Sequence, residues 1–509
     1  MATPQEKLAS SLEMLRELQN RAIVAVRSGD LTRTHRERLL KNGFLQEVMK
    51  GWYIPVQPDR PPGDSTAWYT SFWDFCAAYL EARFGTKWSL SPEQSLLIHV
   101  GELTVPRQLL VRSPKARNRM TALPHDTSLF DTRAKLPEDG QDVKINGLRL
   151  FTLPAALVSC GPGFFIQHSP AARAALAMVP DGSDLLRLLL EEGRTAIAGR
   201  LAGAFSNIGR NDIASDIIHT MQAAGFDARE KNPFEDSAKS ALITRFSSPY
   251  VYRMRLMWEK MREPVRRQFP AAPGMVPDLE VYLKTADDAY LTDAYHSLSI
   301  EGYRVGPDLI ERVRSGQWHP DDNVEDREQR NALAARGYWQ AYQAVRKSVR
   351  KVLADENPGS VSENDHRQWY REMFAPNVKA GLLSPGDLAG YRNAPVYIRR
   401  SMHVPPRYEA VRDLMPAFFS LLQEESEPSV RVVLGHFFFV YIHPYFDGNG
   451  RIGRFLMNVM LASGGYPWTV VPFEKREEYM SALEAASVRQ DIEPFAAFLG
   501  RLVSATSPK

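Results

Sequence analysis

The sequence predicts a multidomain, mainly α-helical protein: an N-terminal winged helix, a mixed α/β segment, and an all-helical C-terminal core with one short β-like interruption. Three observations predict it. At 509 residues the chain exceeds what one hydrophobic core organises. Proline clusters at 55–62 (PVQPDRPP) and 270–277 (PAAPGMVP) punctuate it as linkers. Helical periodicity then runs almost unbroken from about 278 to 505, with PVYIR near 395–399 as its β-like exception. Domains at 1–60, 63–235 and 278–505 follow.

Composition excludes several classes. Cys76 and Cys160 are the only cysteines, too few for a disulfide framework or a thiolate zinc cage. No apolar stretch approaches the length that spans a bilayer. The first residues, MATPQEKLASSLEMLRELQ, are polar and helix-like, without the basic-then-apolar layout of a secretory signal. A cytoplasmic protein is expected. The net charge of +3 is too small to indicate nucleic acid by itself, so any such case rests on where the charges sit.

They sit unevenly. Between residues 21 and 50 there are seven Arg or Lys against three Asp or Glu. After a helix over roughly 4–20, Thr32 or Thr34 is placed to cap a second helix carrying Arg33, Arg36, Arg38 and Lys41. Asn42 and Gly43 end it, and FLQEV with KGWYI reads as a tight β-ribbon. That order is a winged helix-turn-helix, whose second helix enters the major groove of DNA, so those four cations are the candidate DNA contacts. A small helical domain with a solvated basic face is the plainer reading. The next segment, 63–160, mixes short β-like runs such as LLIHV and LLVRS with turns, and 165–230 reads as helical. TAWYTSFWDF (66–75) reads as core, and Gly161 to Gly163 as a turn. With LSPEQSLLIHVGELTVPRQLLVRS (90–113), the N-terminal part resembles the winged-helix regulators of abortive-infection antitoxin systems.

The chemistry concentrates in HPYFDGNGRIGR, residues 443–454, between an apolar run and an amphipathic helix. Gly448, Asn449 and Gly450 permit a tight turn that points successive N–H groups into one concavity at a helix N-terminus, an anion nest. Arg451 and Arg454, three apart, share one side of the first turn. Their planar forks match phosphate oxygens, and their position opposes the helix dipole unless an anion is bound. Asp447 adds negative charge where phosphate belongs, which makes sense if it holds a Mg²⁺ ion. His443 ahead of the nest is placed to deprotonate a hydroxyl attacking phosphorus. Phosphoryl or nucleotidyl transfer is the reading. Gly448, Gly450 and Gly453 also satisfy a dinucleotide fingerprint, but the glycines do not follow a strand directly, and too little chain remains for a doubly wound sheet. His436, seven residues before His443, reads as a core histidine.

These residues resemble the Fic signature H-P-F-x-D/E-G-N-G-R-x-x-R at every position except Tyr445, which replaces phenylalanine at a core-anchoring site. Supporting features extend the resemblance over roughly 280–505. It implies transfer of AMP from ATP to a hydroxyl of a target protein, on Ser, Thr or Tyr. His443 is then the base, Asp447 the magnesium ligand, Gly448, Asn449 and Gly450 the phosphate cradle, and Arg451 and Arg454 the ligands of the outer phosphates. GYRNAPVYI through HVPP (390–406) resembles the family's hairpin flap, where a target segment adds as a strand along Val396, Tyr397 and Ile398.

Upstream, Ser297 and Glu301 stand four apart, on one helix face if the segment near 290–302 is helical, with Gly302 suited to its end. Alone, the string is an ordinary exposed helix. Beside this signature it resembles the inhibitory motif S/T-x-x-x-E-G/N, which implies that Glu301 pairs with Arg454 and keeps it from ATP. The resemblance equally implies a glutamate that positions a water for AMP removal, and the two roles stay open. A DNA-binding regulator using the nucleotide site as a sensor is the alternative function. Both modules are compatible with a homodimer.

Overall fold

A computed structural model describes residues 3–58, 63–191, 193–235, 248–274, 278–315 and 329–506. Parts of both proline clusters, 59–62 and 275–277, lie outside the described residues. The chain divides into two compact units, one of residues 1–249 with 397–404, the other of 250–396 with 405–509.

In the first unit, α1 (Pro4–Asn20) starts at a Thr3 capping box, and α2 (Arg33–Lys41) starts where the Thr32 hydroxyl accepts the His35 amide. Asn42 and the positive-φ Gly43 end α2. Strands β1 (Val26–Arg27), β2 (Leu45–Met49) and β3 (Trp52–Pro55) form an antiparallel sheet in the order β1-β3-β2. Leu15, Leu39, Val26, Leu45 and Tyr53 close a small core between helices and ribbon.

Next comes α3 (Thr66–Phe84), whose Trp68, Phe72, Phe75 and Leu80 are fully buried. A second sheet runs β4-β5-β7-β6, from β4 (Ser89–Leu90), β5 (Gln108–Ser113), β6 (Arg119–Ala122) and β7 (Ser128–Arg133), with β5 and β7 parallel. Strands β8 (Asp142–Ile145) and β9 (Leu148–Phe151) pair across Asn146 and Gly147, both at positive φ, the two-residue turn whose twist suits a hairpin. LLIHV is not a strand: it lies in α4 (Pro92–His99), because Ser91 caps the segment and Pro92 presets its first turn. Helices α5 (Leu153–Ser159), α6 (Gly163–Gln167), α7 (Ser169–Ala177), α8 (Ser183–Glu191), α9 (Thr195–Asn207) and α10 (Asn211–Ala223) complete the unit, with Gly161 and Pro162 in the connection before α6.

The expected hairpin flap is absent. Among the described residues, 390–406 forms no strand, and Val396, Tyr397 and Ile398 pair with no sheet. Its backbone groups go elsewhere: Ser401 N donates to Ile398 O (3.1 Å), Arg400 N to the Thr66 hydroxyl (3.3 Å), and Val105 N to Met402 O (2.8 Å). Met402 and Val404 join the apolar core built around α3. Its central part, 397–404, is bound within the first unit as an irregular loop.

The second unit is helical throughout its described residues, apart from turns: α11 (Pro249–Gln268), α12 (Leu279–Ile300), α13 (Pro307–Arg314), α14 (Gln329–Leu353), α15 (Pro358–Lys379), α16 (Tyr408–Glu424), α17 (Pro428–Ile442), α18 (Asn449–Ser463), α19 (Arg476–Arg489) and α20 (Glu493–Thr506). It begins some thirty residues before the expected 278, because α11 is part of its core: Trp258 stacks on Phe438, and Arg262 pairs bidentately with the buried Glu425. Helix α17 is apolar on every side, and Val430, Val432, Phe437, Phe438 and Phe439 are fully buried, as a central helix requires. That burial fixes where α17 ends and where its last residue projects.

Candidate active site

Helix α17 stops at His443, which sits left-handed at φ 53° and ψ 61°, and α18 starts at Gly448, left-handed at φ 80°. That loop and the first turns of α18 together hold every residue of the signature. Tyr445 anchors it: the ring is 1% exposed and stacks on Tyr370 at 3.9 Å and 5°. Its hydroxyl is buried without a hydrogen-bond partner. A Cβ on Gly448 would lie 2.8 Å from the Phe374 ring, so glycine is required there by packing as well as by φ.

The Asn449 side chain does not point its amide at a ligand. Its Oδ1 accepts from Tyr445 N (2.9 Å) and its Nδ2 donates to Tyr445 O (2.8 Å), stapling the loop shut. Asp447 Oδ1 accepts from Gly448 N (2.6 Å), and its Oδ2 lies 3.3 Å from Arg451 Nη2. The Asp447 side chain is otherwise open to solvent.

Both signature arginines are buried cations. Arg451, 1% exposed, lies between the rings of Tyr303 (5.2 Å) and Phe374 (5.1 Å), and its Nε and Nη2 make no hydrogen bond. Arg454, 2% exposed, donates from Nε to Ser297 Oγ (2.9 Å) and from Nη2 to Ser297 O (3.0 Å) and Glu301 Oε1 (2.7 Å), while Nη1 has no partner. Burial opposes the Arg454 charge, but the Glu301 carboxylate outweighs it and holds the guanidinium firmly protonated. Glu301 is the C-cap of α12, and Gly302 follows at φ 87°. A Cβ on Gly450 would meet Glu301 Oε1 at 2.4 Å. A carboxylate therefore stands at the mouth of the nest, where the free N–H groups of α18 attract anions.

His443 Nδ1 lies 3.1 Å from Val440 O. A carbonyl only accepts, so Nδ1 carries the proton and Nε2 presents a lone pair. Burial pushes the imidazole below its usual range. The Arg392 cation adds to this, while the Val440 bond and the carboxylates of Glu301 and Asp447 oppose it. The ring is neutral at ordinary pH, with its Nε2 lone pair free to accept a proton. His436 takes no part here: it is fully buried and bonds the Tyr479 hydroxyl at 2.8 Å.

Sequence reasoning missed three groups. Arg392 donates to His443 O (2.8 Å) from 51 residues away, without any local pattern to mark it. Tyr303 and Phe374 flank Arg451 from two other helical regions. Asp293, one turn before Ser297, is buried, accepts from Tyr338 OH (2.7 Å), and is raised by desolvation to about 6. Its signal was present, since Asp293, Ser297 and Glu301 repeat every four residues on one face.

Two of the four N-terminal cations bond within their own unit. Arg38 donates to Lys7 O (2.7 Å) and Ser11 Oγ (2.8 Å), and Arg36 donates to Ser28 O (2.8 Å), so both fasten α2 to its own unit. Arg33 is exposed but paired with Glu37 at 2.7 Å, and Lys41 is exposed. The free cysteines Cys76 and Cys160 are buried, and no helix of the described residues is long and apolar enough to cross a membrane. Among the described residues no group of three or more His, Cys, Asp or Glu is arranged to hold a metal.

Residues 360–461 match the model of the Fic/DOC family. The chain is similar to "Protein adenylyltransferase Fic" of Drosophila grimshawi, 35% identical over 216 residues, covering 42% of this chain and 41% of that protein. It is 28% identical over 255 residues to the protein of that name from Nematostella vectensis, covering 49% and 54%. The chain thus spans about half the length of the curated relatives it matches. Among solved structures it resembles Fic-1 (aa134 - 508) from C. elegans at 18% identity and a TM-score of 0.37, covering 66% of this chain and 90% of that one. The chain carries a Fic/DOC domain over residues 360–461, within a longer stretch related to the protein adenylyltransferases named Fic.

Proposed function

We propose that this protein transfers AMP from ATP to a hydroxyl of a Ser, Thr or Tyr side chain on a target protein, and that Glu301 restrains it. The reading is supported above all by two buried guanidinium groups beside a helix N-terminus that keep N–H groups without a hydrogen bond: Arg451 Nε and Arg454 Nη1, with Arg451 Nη2 held only in a 3.3 Å ion pair to the exposed Asp447. Orphaned buried donors of this kind are costly unless an anion completes them. A polyphosphate fits that donor set, with Gly450 offering close backbone approach and Arg451 and Arg454 meeting the outer oxygens.

The target hydroxyl oxygen attacks the α-phosphorus, and its proton passes to His443 Nε2. The bond from that phosphorus to the bridging oxygen breaks, and pyrophosphate leaves. Asp447 is the residue that would hold Mg²⁺, and the ion would supply charge neutralisation for the leaving group. What the chain contributes is position and electrostatics.

Glu301 bonds the same Arg454 that the outer phosphates need. While that ion pair stands, ATP cannot recruit Arg454 and seats unproductively. Incubating full-length Glu301→Gly protein with ATP labelled at the α-phosphate, Mg²⁺ and host lysate tests the reading. Label on protein that exceeds wild type and vanishes in Glu301→Gly/His443→Ala is expected. Folded Glu301→Gly protein that labels nothing would overturn it.

A further inference from the structure

The left-handed backbone of His443 needs an external cause. A non-glycine residue in that region costs roughly 1–2 kcal/mol, and it persists only where its surroundings impose it. The structure supplies one candidate. Arg392 is 1% exposed, and its backbone N donates to Pro444 O (2.9 Å). Its guanidinium gathers carbonyls from two places: Nε donates to His443 O (2.8 Å), Nη2 to Ile442 O (3.4 Å) and Pro406 O, and Nη1 to Ala394 O (3.2 Å). Every hydrogen bond this side chain is seen to make goes to a carbonyl, at the C-terminus of α17 and at the two ends of the loop 395–405.

The chemistry of that set is specific. The last carbonyls of a helix have no intrahelical donors and carry the negative end of its dipole, so a buried cation is stabilised there. A planar fork with five N–H groups can bind carbonyls in several directions at once, which an ammonium on a flexible stem cannot do with the same geometry. Bonds to residues 442, 443 and 444 fix the turn out of α17 on both sides of the histidine.

We propose that Arg392 is the positioning residue for His443: it caps α17 and holds the reversed turn from which the imidazole presents Nε2 to the nest. The inference rests on His443 being the base of the proposed transfer. Arg392 touches no reacting atom and acts through the backbone of its neighbour. Its charge has a second effect, since it disfavours protonation of the imidazole, against the Glu301 and Asp447 carboxylates that favour it.

The test uses full-length protein in the Glu301→Gly background, comparing Arg392→Met and Arg392→Lys with the unaltered arginine. Misplacing a reacting group by an ångström can cost on the order of 10²-fold, and a loss of that size in kcat is expected for Arg392→Met, with KM for ATP within about threefold. Arg392→Lys should recover the pH profile but only part of the rate, because it restores charge without the fork. In Arg392→Met the acid limb of the rate should move to higher pH. A kcat unchanged within about twofold, or a loss of rate that tracks thermal destabilisation with an unmoved acid limb, would overturn the inference. Histidine Cε1 NMR of the same proteins, with His443→Ala to assign the signal, reads the inference without any transfer activity. The His443 signal should shift and titrate at higher pH in Arg392→Met, and an unaltered signal defeats the proposal. Absence of transfer in Glu301→Gly itself would instead defeat the adenylyltransferase reading.

Discussion

Glu301 Oε1 lies 2.7 Å from Arg454 Nη2 and only 2.4 Å from where a Cβ on Gly450 would stand, so one carboxylate lies against both a buried arginine and a glycine of the first turn of α18. Removing it should have opposite effects on activity and stability. Glu301→Gly is expected to raise AMP incorporation at least about tenfold, a gain of about 1.4 kcal/mol in transition-state access. The same change leaves Arg454 buried without its carboxylate and should cost about 1–2 kcal/mol of unfolding free energy, the part-exposed carboxylate counting for less than a sealed one. Labelling and urea midpoints on one preparation check both signs.

Gly450→Ala and Glu301→Gly should not add. Alone, the alanine methyl displaces the carboxylate and loosens its hold on Arg454. With Glu301 already gone, the nearest of those atoms left to the methyl is Arg454 Nη1, at 3.2 Å. A coupling energy above about 0.5 kcal/mol is expected in a double-mutant cycle on stability, and additivity within about 0.3 kcal/mol would contradict this geometry.

Tyr445→Phe should stabilise the protein. The ring keeps its stack on Tyr370, while a buried hydroxyl without a partner is removed. Relief of about 1 kcal/mol is expected, read as a higher thermal midpoint with transfer in the Glu301→Gly background little changed. A lower midpoint would mean that the hydroxyl has a partner in solution.

Acid should unfold the chain earlier than carboxylates alone predict. Burial pushes His366 down to about 4 and His436 to about 3, from an ordinary 6.5. The unfolded chain then binds more protons below pH 6.5, so the contribution of these groups is complete above 6.5 and is lost as pH falls toward 4 and 3. Urea midpoints should drop from pH 7 to pH 5, and His436→Gln should flatten part of that slope. A midpoint independent of pH across this range would refute it.

What could be read from sequence was what is encoded locally. The loop from His443 to Arg454 is contiguous, and its glycines, arginines and carboxylate carry their chemistry in their spacing. Thr32, Asn42 and Gly43 delimit α2 by capping, another local effect. LLIHV went astray because a short apolar run looks alike in strand and helix, and Ser91 with Pro92 decides it. The Asn146–Gly147 hairpin, by contrast, is marked by a local turn signal. PVYIR has strand propensity, but an edge forms only if a partner is there, and 397–404 finds its hydrogen bonds in the first unit. Arg392 and α11 were out of reach because their partners lie 51 and more than 160 residues away.

The assignment of 397–404 to the first unit means that the chain crosses between the two units three times, after 249, after 396 and after 404. They are interleaved rather than strung in series. A single protease cut cannot separate them into two whole pieces, and a fragment starting at 250 would take with it Met402 and Val404, which belong to another core. Such a fragment has eight residues with nowhere to fold, and the remainder keeps an apolar slot they would have filled. Transplanting residues 250–509 into another protein therefore calls for redesigning the stretch 397–404, since it leaves its own core behind.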